Sequence, residues 1–489
     1  MAYPSEALLD KLAGRLGPKG MTRDPAAMAP FLTDWRDRYH GGAAAMLSPA
    51  TREEVAEIVA LCAGAGVPLV PQGGNTGMVG GATPDGTGAA LLLSTRRMNR
   101  IRSIDAVAGI AICEAGVILA TLHEAALAVG RRFPLTLGAK GSATIGGLVS
   151  TNAGGTQVLR FGTMRSLVLG IEAVLPDGSL FNGLAVLKKD NRGYDLKQLL
   201  ICAEGTLGIV TAASLKLVPA VGERVVAWAG VESPQAAQAL LRHLEAVMGD
   251  AVESFELVPA HVLSLVLANI PGARAPLEKP APWNVLVEAV SAMATPSPER
   301  LLYEGLRSAL ETGLVLDAVI AASEAQAEGF WRLRDSIAEA EKKDGPSAKH
   351  DISVPVEAMG DFLIEAGAKI EARFPGTQVI GFGHLGDGNI HFNVRAPAGA
   401  EESWVETDGR TVTAYVHDLV TAAGGSISAE HGIGQAKIGE LARLADPARL
   451  GAMRAIKQGL DPQGIMNPGK LVPPVDAGQG SLAPEPLRS

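Results

Sequence analysis

Two histidines and a glutamate–histidine pair carry the most legible chemistry in this chain. The stretch Gly383-His384-Leu385-Gly386-Asp387-Gly388-Asn389-Ile390-His391-Phe392-Asn393 sets an imidazole on each side of Asp387-Gly388. Asp-Gly tolerates the positive φ that a type I′ turn demands at both central positions, so the spacing predicts a β-hairpin. With Asp387-Gly388 as a two-residue loop, Gly386 pairs with Asn389, Leu385 with Ile390, and His384 with His391. Directly opposed residues have Cβ atoms about 4.5–5.5 Å apart on one face, close enough for both rings to share one metal ion. Ser428-Ala429-Glu430-His431-Gly432-Ile433-Gly434 offers a carboxylate as third ligand and leaves a coordination position open, the pattern of a catalytic metal. A lone strand histidine is more often satisfied or solvated. Two opposed across a turn, with a third beside a glutamate, favour the metal.

The flanking elements follow from periodicity. Val379-Ile380-Gly381-Phe382 and Ile390-His391-Phe392-Asn393-Val394 read as the hairpin strands, with helices over 360–374 and 410–423 on either side. Ser233 to Met248 and Pro298 to Glu311 read as amphipathic helices, and Trp283 to Glu288 as a strand between them. Nearer the N-terminus, Thr51-Arg52-Glu53-Glu54 is a capping box opening a helix with Val55, Ile58, Val59 and Cys62 on one face. Gly64 and Gly66 stop that helix, and Val67-Pro68-Leu69-Val70 reads as a strand whose partner is Ala45-Met46-Leu47, a compact βαβ unit. Leu175-Pro176-Asp177-Gly178-Ser179-Leu180 is a second hairpin signal. Short strands and few long helices up to Pro219, then a changed pattern from Ala220, predict two α+β domains.

Composition narrows the function. In 489 residues, 47% hydrophobic and 19% charged residues describe a multidomain globular chain. A net charge of −9 without a basic cluster argues against nucleic acid or an anionic membrane as partner. Cys62, Cys113 and Cys202 form no Cys-x-x-Cys pair, which leaves neither an iron–sulfur cluster nor a zinc ribbon. The opening residues lack a signal-peptide pattern, and the longest apolar stretch, Leu257 to Ile270, is interrupted by Pro259 and His261. A cytoplasmic location with no membrane segment is the expectation.

Three glycine-rich loops remain. Residues 71–81 (Pro-Gln-Gly-Gly-Asn-Thr-Gly-Met-Val-Gly-Gly) follow a strand directly, 138–155 hold a run of glycine and hydroxyl residues, and 203–211 read Ala-Glu-Gly-Thr-Leu-Gly-Ile-Val-Thr. Small residues leave backbone N–H groups free to converge on an anion. The spacing matches neither the Gly-x-Gly-x-x-Gly of a nicotinamide fold nor a phosphate-binding lysine loop. The loops could wrap a ligand with a pyrophosphate and a planar ring; they could equally be tight turns of a β-rich domain.

Taken together, the three loops, the histidine hairpin, Ser-Ala-Glu-His-Gly and Met466-Asn467-Pro468-Gly469-Lys470 resemble the FAD-dependent D-2-hydroxyacid dehydrogenases of the vanillyl-alcohol-oxidase and p-cresol-methylhydroxylase superfamily (D-2-hydroxyglutarate- and D-lactate-dehydrogenase-like), over about Phe31 to Val472. The resemblance implies an α+β fold: a two-subdomain FAD-binding domain of the p-cresol-methylhydroxylase type, an antiparallel-sheet substrate domain and a helical C-terminal cap. The corresponding boundaries are a helical segment 1–36, an FAD domain 37–219, a substrate and metal domain 220–425, a C-terminal segment 426–473 contacting FAD and active site, and a loose tail 474–489. FAD would be held non-covalently by Pro71, Gly73, Gly74, Asn75, Thr76 and Gly77 at the pyrophosphate. Gly141, Ser142, Thr144, Ile145, Gly146, Gly147, Asn152, Gly154 and Gly155, with Glu204, Gly205, Gly208, Ile209 and Asn467, would line the rest. No histidine or cysteine stands in 71–77 to tether the flavin.

The same resemblance puts a divalent metal, zinc by type, on His384, His391 and Glu430, with His431 as catalytic base and substrate contact. If 430–431 is extended, the two side chains point to opposite sides, one to metal and one to substrate. Arg334, Lys349 and Asn393 would bind the substrate, a D-2-hydroxy acid oxidised to the 2-oxo acid with hydride passing to flavin N5. Two cations and a metal favour D-2-hydroxyglutarate, while Ala338, where relatives with that substrate often carry threonine, keeps D-lactate and D-malate open. An electron-transfer flavoprotein or a quinone would take the electrons, and a homodimer is open. The competing readings are a D-lactate or glycolate dehydrogenase subunit, a non-catalytic electron-relay flavoprotein, and a metallohydrolase, which leaves the glycine loops without a task.

Overall fold

Thr51 opens the first helix that sets the architecture. Its hydroxyl accepts from Glu54 N, and Glu54 accepts in return from Ala50 N, one residue before the position a strict capping box uses. The helix Arg52–Ala65 buries Val55, Ile58, Val59 and Cys62 against Leu47, Leu69, Leu91 and Leu93, and Gly66 ends it in the left-handed region. The computed structural model describes residues 2–187, 189–293 and 296–475, so the expected tail lies outside the described residues from 476 on.

Around that helix lies a four-stranded sheet in the order Met21–Thr22, Met46–Leu47, Leu91–Ser94, Leu69–Gln72, the last three parallel. Met46–Leu47 therefore does not pair with Leu69–Gln72, as the sequence suggests. Leu91-Leu92-Leu93 stands between them, and a run of three fully buried leucines belongs at the centre of a sheet covered on both faces. Residues 465–467 run beside the opposite edge of Leu69–Gln72: Leu69 N donates to Ile465 O and Asn467 N to Leu69 O, each at 2.8 Å. Ile465 and Met466 join the core of this sheet.

The second sheet is antiparallel, in the order Ile101–Asp105, Ile110–Glu114, Ile209–Lys216, Val168–Val174, Leu180–Gly183. Pro176-Asp177-Gly178 turns the last pair, with Val174 opposite Leu180, as the second hairpin signal predicts. Buried Glu172 in this sheet binds Arg52 of the first unit's helix (2.6 Å) as well as Arg102 (2.9 Å), tying the two sheets together.

The third sheet, also antiparallel, runs Asp317–Ile320, Glu223–Val231, Trp283–Ser291, Val252–Pro259, Gln378–His384, Asn389–Arg395, Ser347–Ala348, and Asp351–Ser353 pairs with Asn389–Arg395 as well. Helices Pro234–Met248, Pro298–Glu311, Met359–Arg373 and Asp408–Ala422 pack on one face. Ala260–Asn269, Glu324–Asp335 and Ile337–Asp344 pack on the other, against Val258, Leu286, Ile380 and Phe382. An α+β chain whose substrate-side sheet is antiparallel is what the sequence predicts. Buried Glu253 of the third sheet takes Arg132 at 2.6 Å and Arg160 at 3.1 Å, which clamps the third sheet to the segment carrying the middle glycine loop. No described helix is long and apolar enough to cross a membrane.

Candidate active site

The hairpin forms, in a different register. Gln378–His384 pairs with Asn389–Arg395 so that His384 opposes Asn389 and Phe382 opposes His391. Leu385, Gly386, Asp387 and Gly388 make a four-residue loop in place of the expected two. Its tip is fixed by neighbours: Leu385 is fully buried and its N–H donates to Phe255 O, and a Cβ on Gly388 (φ 81°) would stand 2.2 Å from Val354 O. The slip amounts to two residues. Because side chains alternate with period two, an even slip preserves the face, and the two imidazoles become diagonal neighbours with ring centroids 5.7 Å apart.

That face carries a row of polar side chains. Glu256 opposes His384 and Asp351 opposes His391. Residues 426–429 run back along 351–353, with Ser426 bridging Ser353, and so deliver Glu430 to the row. Each of His384, His391 and Glu430 offers one ligand atom, all within 4.8 Å of one another. Glu256 Oε1 lies 2.5 Å from His384 Nδ1, which leaves Nε2 turned to the cluster, the usual carboxylate support behind a metal-binding imidazole.

Electrostatics fit a cation there. Burial pushes the Glu430 carboxyl up to about 7, a strain that a bound divalent ion would relieve. Burial, then Arg334 and His384, push His391 down to about 3, so its ring is neutral and free to ligate. On His384 burial opposes charge but Glu256 wins, lifting it to about 9; an ion seated against Nε2 displaces that second proton.

His431 stands beside this group. The segment is bent, and one ligand atom each of Asp351, Glu430 and His431 lie within 4.8 Å of one another, so Glu430 and His431 do not face opposite ways. Both backbone N–H groups donate to Asp351 Oδ2 (2.9 and 2.8 Å), and His431 Nδ1 lies 3.4 Å from the same oxygen. Burial holds His431 down at about 4 against the pull of Asp351, with Lys437 and Arg36 adding to the depression. It therefore stands neutral at pH 7, Nδ1 toward a carboxylate that lies well below the usual range.

The residues expected at the substrate share the same face. The helix Glu324–Asp335, capped by Ser323, brings Arg334 over the row in its last turn. Arg334 Nε donates to Glu256 Oε2 at 2.8 Å, and Nη2 stands 3.4 Å from His384 Nε2. Asn393 and Lys349 both meet Glu341, a buried carboxylate of Ile337–Asp344. The sequence reading missed Glu256, Asp351 and Glu341. Glu256 was detectable as a lone carboxylate in the otherwise apolar run Phe255-Glu256-Leu257-Val258, since an acid buried there needs a partner.

The glycine loops converge. A Cβ on Gly74 would stand 1.9 Å from Ser142 O, one on Gly73 2.3 Å from Thr144 Oγ1, and one on Gly205 2.4 Å from Pro71 Cγ. The first loop thus touches both others. Among the described residues, the backbone N–H groups of Gly73, Gly74, Asn75, Thr76 and Gly77 find no acceptor, and buried Thr144 Oγ1 has no partner. These unmet donors suit a pyrophosphate. Gly154 brings the middle loop to the group formed by His384, His391 and Glu430, for a Cβ there would lie 3.4 Å from Glu430 Oε1. A Cβ on Gly147 would stand 3.5 Å from Thr144 Oγ1, one on Gly141 would meet nothing within 4 Å, and Gly146 packs on Ala115.

Several expected cofactor residues serve the fold. Asn152 caps the helix Ile145–Thr151 and accepts from Thr163 and Arg165 N, Ile145 and Ile209 are core, Gly155 packs on Thr136 O, and Gly208 (φ 155°) on Val174 O. Asn75 ties its loop to Thr33 O. Glu204 accepts from Ile433 N and Gly434 N, both at 2.7 Å, and Asn467 donates to Gly81 O and Glu204 O. Glu204 therefore fastens the third loop to the segment bearing Glu430 and His431, and Asn467 ties the third loop to the first.

Comparison with known proteins gives this geometry a context. Residues 222–471 match the family described as FAD linked oxidases, C-terminal domain, and residues 43–183 match the FAD binding domain. Over 94% of the chain and 80% of the relative, it is 38% identical to the mitochondrial D-2-hydroxyglutarate dehydrogenase of Arabidopsis thaliana. A putative mitochondrial D-lactate dehydrogenase of Schizosaccharomyces pombe is 34% identical, over 92% of the chain and 85% of the relative. Among solved structures, p-cresol methylhydroxylase shares the fold with a TM-score of 0.73 at 14% identity, covering 97% of this chain and 96% of that one. The relatives' names correct the cytoplasmic expectation, since they are described as mitochondrial and so point to the mitochondrion.

Proposed function

Because the chain belongs to the FAD-linked oxidase family and is an FAD-dependent dehydrogenase, we propose that it oxidises a D-2-hydroxy acid to the 2-oxo acid at the sheet face bearing His384, His391, Glu430 and His431. D-2-hydroxyglutarate is the favoured substrate, D-lactate and D-malate the alternatives. The observation that carries the reading is the meeting of two sites. A three-ligand cluster within 4.8 Å and the glycine loops touch at Gly154.

When bound, FAD would supply the acceptor for the electron pair leaving the substrate Cα, with an electron-transfer flavoprotein or a quinone as the onward acceptor. A divalent ion, zinc by its two-nitrogen, one-oxygen donor set, would polarise the substrate's carboxylate and hydroxyl oxygens. His384 and His391 present ring nitrogens and Glu430 an oxygen, with Glu256 holding the His384 ring in place. His431 receives the 2-hydroxyl proton at Nε2 while Asp351 faces Nδ1 and stabilises the imidazolium. Arg334 flanks the cluster, and Lys349 and Asn393 face the distal end of the substrate. Residues 73–77 offer their free N–H groups to the cofactor pyrophosphate.

The purified protein should be yellow and should bleach when D-2-hydroxyglutarate is added without oxygen. A colourless, folded protein, or one that no D-2-hydroxy acid bleaches, overturns the reading. Chelation should slow bleaching by at least about tenfold with flavin retained, and zinc should restore it; a rate indifferent to chelation removes the metal from the proposal. Gly74→Ala tests the loop: its Cβ would collide with Ser142 O at 1.9 Å, so FAD affinity should fall at least about tenfold. Flavin per chain after dialysis reads the effect, and wild-type retention would place the pyrophosphate elsewhere.

A further inference from the structure

We propose that Glu341 sets how strongly this site prefers a second carboxylate on its substrate, holding the preference low by neutralising Lys349. This rests on the reading that Lys349 and Asn393 face the substrate's distal end. Asn393 follows His391 by two residues on one strand, so it lies on the same face, about 6.5–7 Å along. Ala348 opposes Val394 and Asp351 opposes His391, which places Lys349 beside Asn393 on that face. A 2-hydroxy acid anchored through its first two carbons at the histidine cluster would extend its remaining carbons toward this pair.

There it meets a site already satisfied. Glu341, 3% exposed, accepts from Asn393 Nδ2 at 2.9 and 3.0 Å and lies 3.6 Å from Lys349 Nζ. Arg334, the other cation of the face, is likewise engaged, by Glu256. A substrate carboxylate brought against Lys349 would also meet the Glu341 charge, which lies 3.6 Å from that ammonium, so repulsion offsets part of the attraction. A hydroxyl or methyl at that end pays no such repulsion. The wild-type site should therefore accept both kinds of substrate, and freeing Lys349 should narrow it to the dicarboxylate.

The test uses the FAD-loaded protein. Glu341→Gln keeps an acceptor for Asn393 and removes the charge. The ratio of kcat/KM for D-2-hydroxyglutarate over D-lactate should rise at least about tenfold, through KM of the dicarboxylate. Calorimetric Kd values for the products, 2-oxoglutarate against pyruvate, should move in parallel, and Glu341→Leu should give the same direction. Adding Lys349→Met should cancel the gain. A ratio and relative Kd unchanged within about twofold in both Glu341 variants overturn the proposal. If Lys349→Met and Asn393→Ala alone leave the kinetics of both substrates untouched, the reading of the pocket falls, and this inference with it.

Discussion

His431→Ala is expected to purify yellow and metal-loaded, yet to oxidise D-2-hydroxy acids roughly 10²- to 10⁴-fold more slowly, with kcat and kcat/KM falling together. Its ring is neutral at working pH because burial holds it down at about 4. Nδ1 faces Asp351 Oδ2 at 3.4 Å, which leaves Nε2 to take the hydroxyl proton. Asp351 does more than orient that ring. It accepts the backbone N–H groups of both Glu430 and His431, so it also fixes where the segment lies. Asp351→Asn should therefore combine a smaller loss in kcat with weaker metal retention, a pairing that His431→Ala lacks. Stopped-flow bleaching of the flavin separates the chemical step from product release. A wild-type bleaching rate in His431→Ala would move the base to another residue.

Glu256→Ala should injure stability and metal binding at once. The carboxylate is fully enclosed, and burial is overcome by Arg334 and His384, which hold it well below the usual carboxylate range. Its loss strands a buried guanidinium and frees the His384 ring. Breaking a buried ion pair from one side costs about 3–5 kcal/mol, and losing the group that orients a metal-bound imidazole costs about 10- to 100-fold in affinity. Thermal unfolding should fall by several degrees and metal content by atomic spectroscopy should drop after dialysis, whereas Glu256→Gln, which still accepts from Nδ1, should recover part of the affinity but little of the stability. Full metal occupancy with an unshifted Tm in Glu256→Ala would falsify the supporting role.

Local signals proved strongest where the chain itself enforces them. Helices form at Pro234–Met248 and Pro298–Glu311, where the sequence predicts them, because the cap hydroxyls of Ser233 and Ser297 and the proline of each first turn act within a few residues. Asp387-Gly388 promised a two-residue turn and did not give one. The loop lies against Phe255 and Val354 in mid-sheet, where neighbouring strands set the geometry and turn propensity gives way. His384 and His391 still came together, since parity survives an even slip. Glu256 and Asp351 are invisible in isolation, as their meaning lies in pairing with strands some 128 and 40 residues away. For Glu430 and His431, alternation within an extended strand was the wrong premise: hydrogen bonds to Asp351 bend the segment and gather both side chains to one side.

The contact of residues 465–467 with Leu69–Gln72 bears on the order in which the protein is made. A ribosome releases this sheet's helix and strands well before Ile465 and Met466, which are both essentially fully buried in its core. Until then the loop at 71–77 stands on an unfinished support, and Glu204 and Asn467 lack each other. A nascent chain stalled before residue 460 already contains His431 but should hold no cofactor, because the sheet that supports the loop at 71–77 is completed only when residues 465–467 arrive. Residues 465–467 act as a closing seam, so a truncation that removes them should damage the sheet around Leu69–Gln72 first.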